Sequence, residues 1–244
     1  MPPYGYGYGL GWGLYFDPTM ILLLPGIIIA LWASINVKST FNKYNTVLSR
    51  NRLTGAQVAE RVLHHHGIYN VRVERVSGNL SDHYDPRTNV IRLSDSTYDS
   101  TSIAAAGVAA HEAGHAVQYA QNYAPIKTRA SIVGICNFGT PMAFVFVFLS
   151  ILIPDYSFPL IVIAIALYSL ATVFQLITLP VEFDASRRAM VSLEATGLYS
   201  EEELAGSKKV LRAAALTYVA ALITSILSLL RFVLIVTGGR NRRR

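Results

Sequence analysis

Four long apolar stretches alternate with polar segments along the chain, at about residues 19–36, 130–153, 156–181 and 213–237. Each is long enough to cross a bilayer, whose hydrocarbon core of about 30 Å takes about 20 helical residues. The first has no basic segment before it and no small-residue cleavage site after it, which is typical of a retained anchor rather than a signal peptide. Only a short turn at Pro154 and Asp155 separates the second from the third, so these two predict a membrane hairpin. The fourth contains Arg231, whose long side chain can reach the interface from near a helix end.

The polar residues form two segments, 38–129 and 182–212, which together are long enough for one compact domain. In the first segment, Thr54 and Gln57 make a capping-box pattern that begins a helix ending at Gly67. Residues 71–76 and 89–94 alternate between apolar and polar positions, as half-buried strands do, and DHYDPRTN predicts a turn before the second strand. From about Ser102 an alanine-rich run predicts another helix.

This pattern predicts an α+β fold, mainly α, in a multi-spanning helical membrane protein. The boundaries that we expect are a Gly/Tyr-rich arm at 1–18, a transmembrane helix at 19–37, a catalytic domain at 38–129, a transmembrane hairpin at 130–181, a second catalytic segment at 182–212, and a fourth transmembrane helix with a basic tail at 213–244.

Composition agrees with a membrane protein, because 52% of the 244 residues are hydrophobic and only 15% are charged. The net charge of +6 does not indicate nucleic-acid binding, since the basic residues lie beside the apolar stretches rather than among aromatic residues. Cys136 is the single cysteine, so an intrachain disulfide is excluded. Its position within the second stretch predicts a small packing residue.

The sequence HEAGH lies within the alanine-rich helix and carries the candidate chemistry. His111 and His115 are four residues apart, so they lie on one face of a helix and can hold one zinc ion. Glu112 lies next to the first histidine, where a general base for hydrolysis is needed. The alternative is a pair of surface histidines on an ordinary helix, but chance matches to HExxH are uncommon. We therefore expect a small zincin-like domain with one Zn²⁺ per chain.

A catalytic zinc needs a third protein ligand. The metzincin pattern would place a histidine at position 121, which is Gln121, so a carboxylate from elsewhere is expected. The hairpin returns the chain to the side of the HEAGH helix, and Glu182 is the first acid after it, at the start of a predicted short helix after Pro180. This ligand set is of the gluzincin type. Asp184 has three alternative roles. It could replace Glu182 as the third ligand, it could orient a histidine that binds the metal, or it could only form an ion pair with Arg188.

Further candidates for substrate or transition-state contacts are His83, Tyr84, Arg87 and Arg187. The first three belong to DHYDPR, for which a purely structural turn built by Asp82, Asp85 and Pro86 is the alternative. If residues 89–94 form an exposed sheet edge, an extended peptide could pair with that strand. By contrast, His64–His66 and Glu201–Glu203 predict a solvated helix end and a solvated helix start.

On HEAGHAVQ, DHYDPRTNVIRLS, VKSTFNKYN and LPVEFDASRRA, the sequence resembles the YugP-like family of bacterial membrane zinc metallopeptidases over nearly the whole chain. This resemblance implies that His111 and His115 are zinc ligands and that Glu112 is the general base. The layout is more distantly similar to the HtpX-type membrane peptidases, which implies Glu182 as third ligand and removal of damaged membrane proteins as a function. In that wider group an Asp follows the Glu by four positions, where this chain has Ser186.

Positive charge indicates the side of the membrane. Most of the 21 Lys and Arg residues lie in the two polar segments, and Lys38, Lys43, Lys127 and Arg129 flank the spans. The catalytic face is therefore predicted to be cytoplasmic. The basic tail argues against this prediction. Four spans would place the tail outside, where basic residues are not favoured, unless the fourth stretch is re-entrant.

The sequence thus favours a membrane-embedded zinc endopeptidase, with a membrane-associated or unfolded polypeptide as substrate. The bilayer, membrane proteins and further copies of the chain are the other partners that we consider, and nucleic acid is excluded. The alternative is a non-catalytic membrane adaptor or scaffold with a structural zinc. The intact Glu112 favours the enzyme, because a structural site has no use for a base.

Overall fold

A computed structural model describes residues 18–241, and within that range the chain is mainly helical with one small sheet. The helices are α1 (Leu23–Asn45), α2 (Gly55–His65), α3 (Ile103–Ala120), α4 (Ala124–Leu152), α5 (Ser157–Ala195) and α6 (Glu201–Asn241). The strands are β1 (Arg72–Val76), β2 (His83–Asp85) and β3 (Val90–Ser94). Except for Pro18, the predicted N-terminal arm lies outside the described residues, as does the end of the basic tail after position 241.

Four helical segments of the described chain are long and apolar enough to cross a membrane, as the sequence predicted. They are Thr19–Asn45, Ala124–Leu152, Pro154–Ala195 and Glu201–Ile235. Two details differ from the sequence prediction. Pro180 neither ends a helix nor precedes a separate short one, because α5 continues through it to Ala195. The fourth stretch is part of a longer continuous helix, which begins at Glu201 rather than at about residue 213.

The long helices pack side by side, with α5 between α4 and α6, and α1 against α6. A 3-10 turn at Pro154–Tyr156 joins α4 to α5, and the two helices pack against each other as a helical hairpin. Gly26 allows the close approach of α1 to α6, because a Cβ there would lie 3.1 Å from the hydroxyl of Thr224. Cys136 is buried on α4, as expected for a packing residue.

The polar segments fold against the ends of these helices and share one core. The capping box at Thr54 and Gln57 is confirmed at the start of α2. Helix α3 is buried along most of its length, and its alanines let α2, α5 and α6 approach closely. Side chains from α2, α3, β3 and α5 form the core, among them Val58, Leu63, Ile91 and Leu193.

The sheet corrects two predictions. Its strand order is β1-β3-β2, with β3 parallel to β1 and antiparallel to β2, so both edges of β3 are already paired. The prediction that β3 offers an edge to a peptide is therefore wrong. The prediction of a turn over all of DHYDPRTN is also wrong, since His83–Asp85 form β2 and the turn begins only afterwards.

Two helix ends are less solvated than predicted. Glu203 is buried, because its carboxylate accepts hydrogen bonds from the backbone N–H groups of Ser200 and Arg50. Glu201 and Glu202 are exposed, as expected. His66 is half-buried at the end of α2, where its Nε2 lies 2.9 Å from the hydroxyl of Ser192 on α5. Both residues thus help to join the two polar segments.

Candidate metal centre

Helix α3 presents His111 and His115 on one face, with ring centroids 4.8 Å apart. The helix begins where the Ser102 hydroxyl accepts a hydrogen bond from the backbone N–H of Ala105. Because both histidines lie on this one largely buried helix, its geometry sets the spacing of the two imidazoles.

Glu182 reaches the same point from α5. Its Oε2 lies 3.3 Å from Nε2 of His111 and 3.5 Å from Nε2 of His115. The side chain is only 2% exposed. The three residues each offer one ligand atom, and these atoms lie within 4.8 Å of one another. The structure therefore brings together the three residues that the sequence nominated, with both Nε2 atoms directed at one carboxylate oxygen.

Gly114 allows this approach of α5 to α3. A Cβ at this position would lie 2.7 Å from the backbone oxygen of Ala185, too close for any side chain. The glycine of HEAGH thus lets the two helix backbones touch, although a glycine inside a helix costs about 1 kcal/mol relative to alanine.

The other ring nitrogens of the two histidines are held by buried polar side chains. Nδ1 of His115 lies 3.0 Å from the side-chain oxygen of Gln118, which is fully buried. Nδ1 of His111 lies 3.1 Å from the hydroxyl of Ser186. Because Gln118 offers its oxygen, Nδ1 of His115 carries a proton, and in the neutral imidazole Nε2 is then left with a lone pair for a metal. Such partners orient the rings of metal-binding histidines.

Asp184 acts on this network from one step further away. It accepts a hydrogen bond of 2.9 Å from the side-chain amide of Gln118, which also donates to the backbone oxygen of Val181. The carboxylate also pairs with Arg187 and Arg188. The expected ion pair with Arg188 is present, and Asp184 reaches His115 only through Gln118. Arg187 is exposed and contacts Asp184 rather than the ligand cluster.

Glu112 is 8% exposed and borders two cavities, both of which are also lined by His111 and Glu182. Burial raises its pKa above the usual range for a glutamate, and the neighbouring His111 and His115 oppose that increase. Burial lowers the pKa of His115, but the hydrogen bond and charge of Glu182 outweigh it and the pKa is raised overall. The cluster is therefore a buried pairing of imidazoles with carboxylates.

The larger cavity has a volume of about 570 Å³ and opens beside the three candidate ligands. His83, Tyr84 and Arg87, which the sequence nominated, all line it, as does the whole of β2. Asn137, Val133 and other residues of α4 also line it. Strand β2, rather than β3, is thus the strand that faces the cavity.

The wall that β2 contributes is fixed by hydrogen bonds. Burial raises the pKa of Tyr84 to about 12, so its hydroxyl stays protonated and donates to Asn89 over 2.7 Å. The backbone N–H of Arg87 and the hydroxyl of Thr88 lower the pKa of Asp85 to about 2. The predicted turn chemistry of Asp85 is therefore present, although it follows a strand. Asp82 instead accepts hydrogen bonds from the backbone and hydroxyl of Ser94.

Three residues of this site were missed by the sequence analysis: Gln118, which holds His115, and Arg129 and Tyr218. Arg129 of α4 lies 3.2 Å from Oε1 of Glu182, the oxygen that faces away from the histidines. Tyr218 of α6 lines both cavities. A signal for Tyr218 was present, since it is a lone tyrosine near the start of the fourth apolar stretch. Arg129 was interpreted only as a charge flanking a span.

Comparison with known proteins places this geometry in a family. The model of a family described as "Putative neutral zinc metallopeptidase" matches residues 19–237. A relative named "Putative membrane protease YugP", from Bacillus subtilis (strain 168), is 44% identical over 222 residues, which cover 91% of this chain and 98% of the relative. No solved structure matches the chain.

These matches extend over nearly all of the described chain and confirm the resemblance that the sequence motifs indicated. The two names agree with a zinc metallopeptidase in a membrane, and the four apolar helices are consistent with a multi-pass membrane protein. The chain belongs to the family described as "Putative neutral zinc metallopeptidase".

Proposed function

We propose that this protein is a membrane-embedded zinc endopeptidase of the gluzincin type, in which His111, His115 and Glu182 hold one Zn²⁺. The observation that carries the proposal is the convergence of two imidazole Nε2 atoms and one buried carboxylate oxygen at the edge of a large cavity. Two histidines and one glutamate are a known ligand set of catalytic zinc. The donor chemistry of the cluster therefore fits the metal.

The Zn²⁺, when bound, supplies a Lewis acid that polarises the scissile carbonyl and makes water more acidic. Glu112, next to His111 on α3, takes the proton from the attacking water and passes it to the leaving amine. Gln118 and Ser186 keep the imidazoles in the orientation that leaves each Nε2 free. Asp184 supports Gln118, and Arg187 in turn supports Asp184.

Other residues of the cavity contact the substrate in this proposal. Tyr218 borders both cavities beside the ligand cluster, and we assign its hydroxyl as the donor to the oxygen of the scissile carbonyl. His83 and Tyr84 lie on β2, the strand that faces the larger cavity, and hold the substrate chain there. Arg129 neutralises the second oxygen of Glu182.

The Glu112→Gln variant tests the proposal, because it removes the base and retains the size of the side chain. Purified in detergent and loaded with zinc, the wild type is expected to cleave a denatured protein, whereas the variant binds one zinc per chain and cleaves at least about 10²-fold more slowly. Undiminished cleavage by Glu112→Gln would reject the mechanism. A Glu182→Ala variant should lose zinc itself, and full zinc content in that variant would reject the ligand assignment.

A structural zinc in a non-catalytic adaptor is the competing function. Structural zinc sites are closed by four protein ligands. Here the three candidate ligands border a cavity of about 570 Å³, which supports an open position for substrate. If zinc removal unfolds the protein and no protein or peptide is ever cleaved, the adaptor is the better description.

We also propose a location and a role. The two polar segments share one core, which supports their lying on the same side of the membrane. Positive charge beside the spans favours the cytoplasmic side. A membrane-associated or unfolded polypeptide is the expected substrate, in membrane-protein quality control. Comparing membrane proteomes of cells with the wild type and with Glu112→Gln tests the role, and a C-terminal tag labelled only in permeabilised cells would contradict four full spans.

A further inference from the structure

A second cavity of about 210 Å³ adjoins the candidate metal centre on the side of α1 and α6. Its walls come from different parts of the chain and are mainly apolar: Val37 and Phe41 of α1, Val108 of α3, Val210 and Ala214 of α6, and Leu80. An apolar cavity of about 150 Å³ is already large enough to take a benzene ring. The second cavity can therefore hold one large apolar side chain.

The position of this cavity links it to the proposed reaction. His111, Glu112, Glu182 and Tyr218 line both it and the larger cavity, so the two spaces meet at the candidate ligands and base. A peptide whose scissile bond lies at Glu112 has one of the two flanking residues next to the second cavity.

The charge of the second cavity points to the same class of side chain. None of its lining residues is Lys or Arg, so an acidic side chain would find no basic side chain to pair with and would face the carboxylates of Asp82, Glu112 and Glu182. Asp82 is already engaged, because its two oxygens accept hydrogen bonds of 2.8 and 2.9 Å from Ser94. A lysine side chain would lose water at an apolar wall, and the remaining carboxylates, Glu112 and Glu182, are the candidate base and ligand that the proposed reaction itself requires.

Leu80 closes the outer side of this cavity from an unusual backbone conformation. Its φ is 55°, in the left-handed region that a leucine rarely adopts, and its side chain is 41% exposed. Strained backbone of this kind concentrates at ligand clamps and active sites. The leucine is thus held where it can cover a bound side chain.

We infer that the second cavity is a specificity subsite that binds a large apolar side chain, such as Leu, Met or Phe, of a residue directly flanking the scissile bond. This inference rests on the proposed peptidase function. The residues that set the selection are Ala214, whose small size leaves the space open, and Leu80, which covers it.

The test uses the zinc-loaded full chain in detergent. Products of a random peptide library are first sequenced by mass spectrometry, and peptides that differ only at the selected flanking position are then compared. We expect wild-type kcat/KM to be about 10- to 200-fold higher for Leu than for Ala at one flanking position, the range that apolar pockets provide. Asp and Lys are expected to be poorer still.

Ala214→Leu fills the cavity, and Ala221→Leu is its matched control, since Ala221 lies on the same helix, is half-buried like Ala214, and lines neither cavity. The ratio of kcat/KM for the Leu peptide to that for the Ala peptide is expected to fall at least about tenfold in the Ala214→Leu variant. The same ratio is expected to stay unchanged in the Ala221→Leu control. Leu80→Ala, at an exposed position, should weaken the preference without unfolding the protein.

Three results would overturn the inference alone: cleavage by the wild type without an apolar preference, a preference for Asp or Lys, or equal ratios for Ala214→Leu and Ala221→Leu. In each of them Glu112→Gln would still abolish cleavage, so the proposed function would stand. If zinc-loaded wild type cleaves no peptide or protein, the proposed function fails and this inference fails with it.

Discussion

Nδ1 of His111 lies 3.1 Å from the hydroxyl of Ser186, which follows Glu182 by one helical turn on α5. Helix α5 thus supplies one candidate metal ligand, Glu182, and also the hydroxyl that orients a second candidate ligand, His111. Ser186 occupies the place where the HtpX-type peptidases carry an aspartate, so the short hydroxyl here stands in the position of a carboxylate. Ser186 is the residue through which the sequence departs from that wider group.

Replacing Ser186 tests whether this hydroxyl orients His111. Ser186→Ala is expected to weaken zinc binding by about 10- to 100-fold, the usual effect of losing such a partner. Ser186→Asp should bind zinc at least as well as the wild type, because a carboxylate is a stronger acceptor for the imidazole N–H. Titration against a chelating dye measures both. Ser192→Ala is the matched control, since Ser192 lies on the same helix but contacts His66. Equal affinities for Ser186→Ala and Ser192→Ala would contradict the role.

Gln118 holds His115 in the same way and has further partners. Gln118→Leu leaves Nδ1 of His115, the oxygen of Val181 and Asp184 without this amide. We expect a loss of about 1–3 kcal/mol in the free energy of unfolding, since buried polar groups lose their partners. Zinc affinity should also fall about 10- to 100-fold.

Thermal unfolding and dye competition measure these two effects of Gln118→Leu. Gln121→Leu is the control, because the Gln121 side chain contacts Arg188 rather than a histidine. Wild-type zinc affinity in Gln118→Leu would show that His115 is oriented without this amide.

Gly114 sets the distance between α3 and α5. Gly114→Ala places a Cβ 2.7 Å from the backbone oxygen of Ala185, so α5 must move away and take Glu182 with it. We expect destabilisation by about 1–3 kcal/mol, as for other overpacked positions, together with weaker zinc binding. Gly134→Ala is the control, because nothing lies within 4 Å of a Cβ there and helix propensity favours alanine by about 1 kcal/mol. Unchanged zinc affinity in Gly114→Ala would show that the close contact between α3 and α5 at Gly114 does not position Glu182 for zinc binding.

The sequence predicted those features of the fold and site that depend on a local pattern of residues or on the number of membrane crossings between two segments. Apolar length predicted the four long helices, and the capping box at Thr54 predicted the start of α2. Helical spacing paired His111 with His115, and the predicted return of the chain through a hairpin nominated Glu182 as a residue on the same side as the histidines. The structure places all three within reach of one ion.

Features that depend on tertiary contacts were not predictable in this way. The central position of β3 follows from β2 joining the sheet, and a three-residue strand is too short to show a periodic pattern. Gln118 looks like a surface residue of a helix until α5 covers it. Glu203 lies in a run of three acids, yet the backbone of Arg50 makes it a buried acceptor. Each outcome was set by a segment distant in sequence.

The raised pKa of Glu112 predicts how the metal-free protein responds to pH. Burial raises this pKa above 4.5, the ordinary glutamate value, so the folded state holds the proton more tightly than the unfolded state. The stability that protonation contributes is complete below pH 4.5 and is lost as the pH rises through the raised pKa.

In a chelator at pH 7–8, Glu112→Gln should therefore unfold at a higher temperature than the wild type, by an amount equivalent to about 1–3 kcal/mol. Thermal melts should show this difference shrinking as the pH falls and vanishing below pH 4.5. Saturating zinc should also shrink it, because a nearby cation stabilises the ionised carboxylate. If the difference in melting temperature between Glu112→Gln and the wild type is the same at pH 4 and pH 8, the buried charge of Glu112 does not destabilise the folded protein.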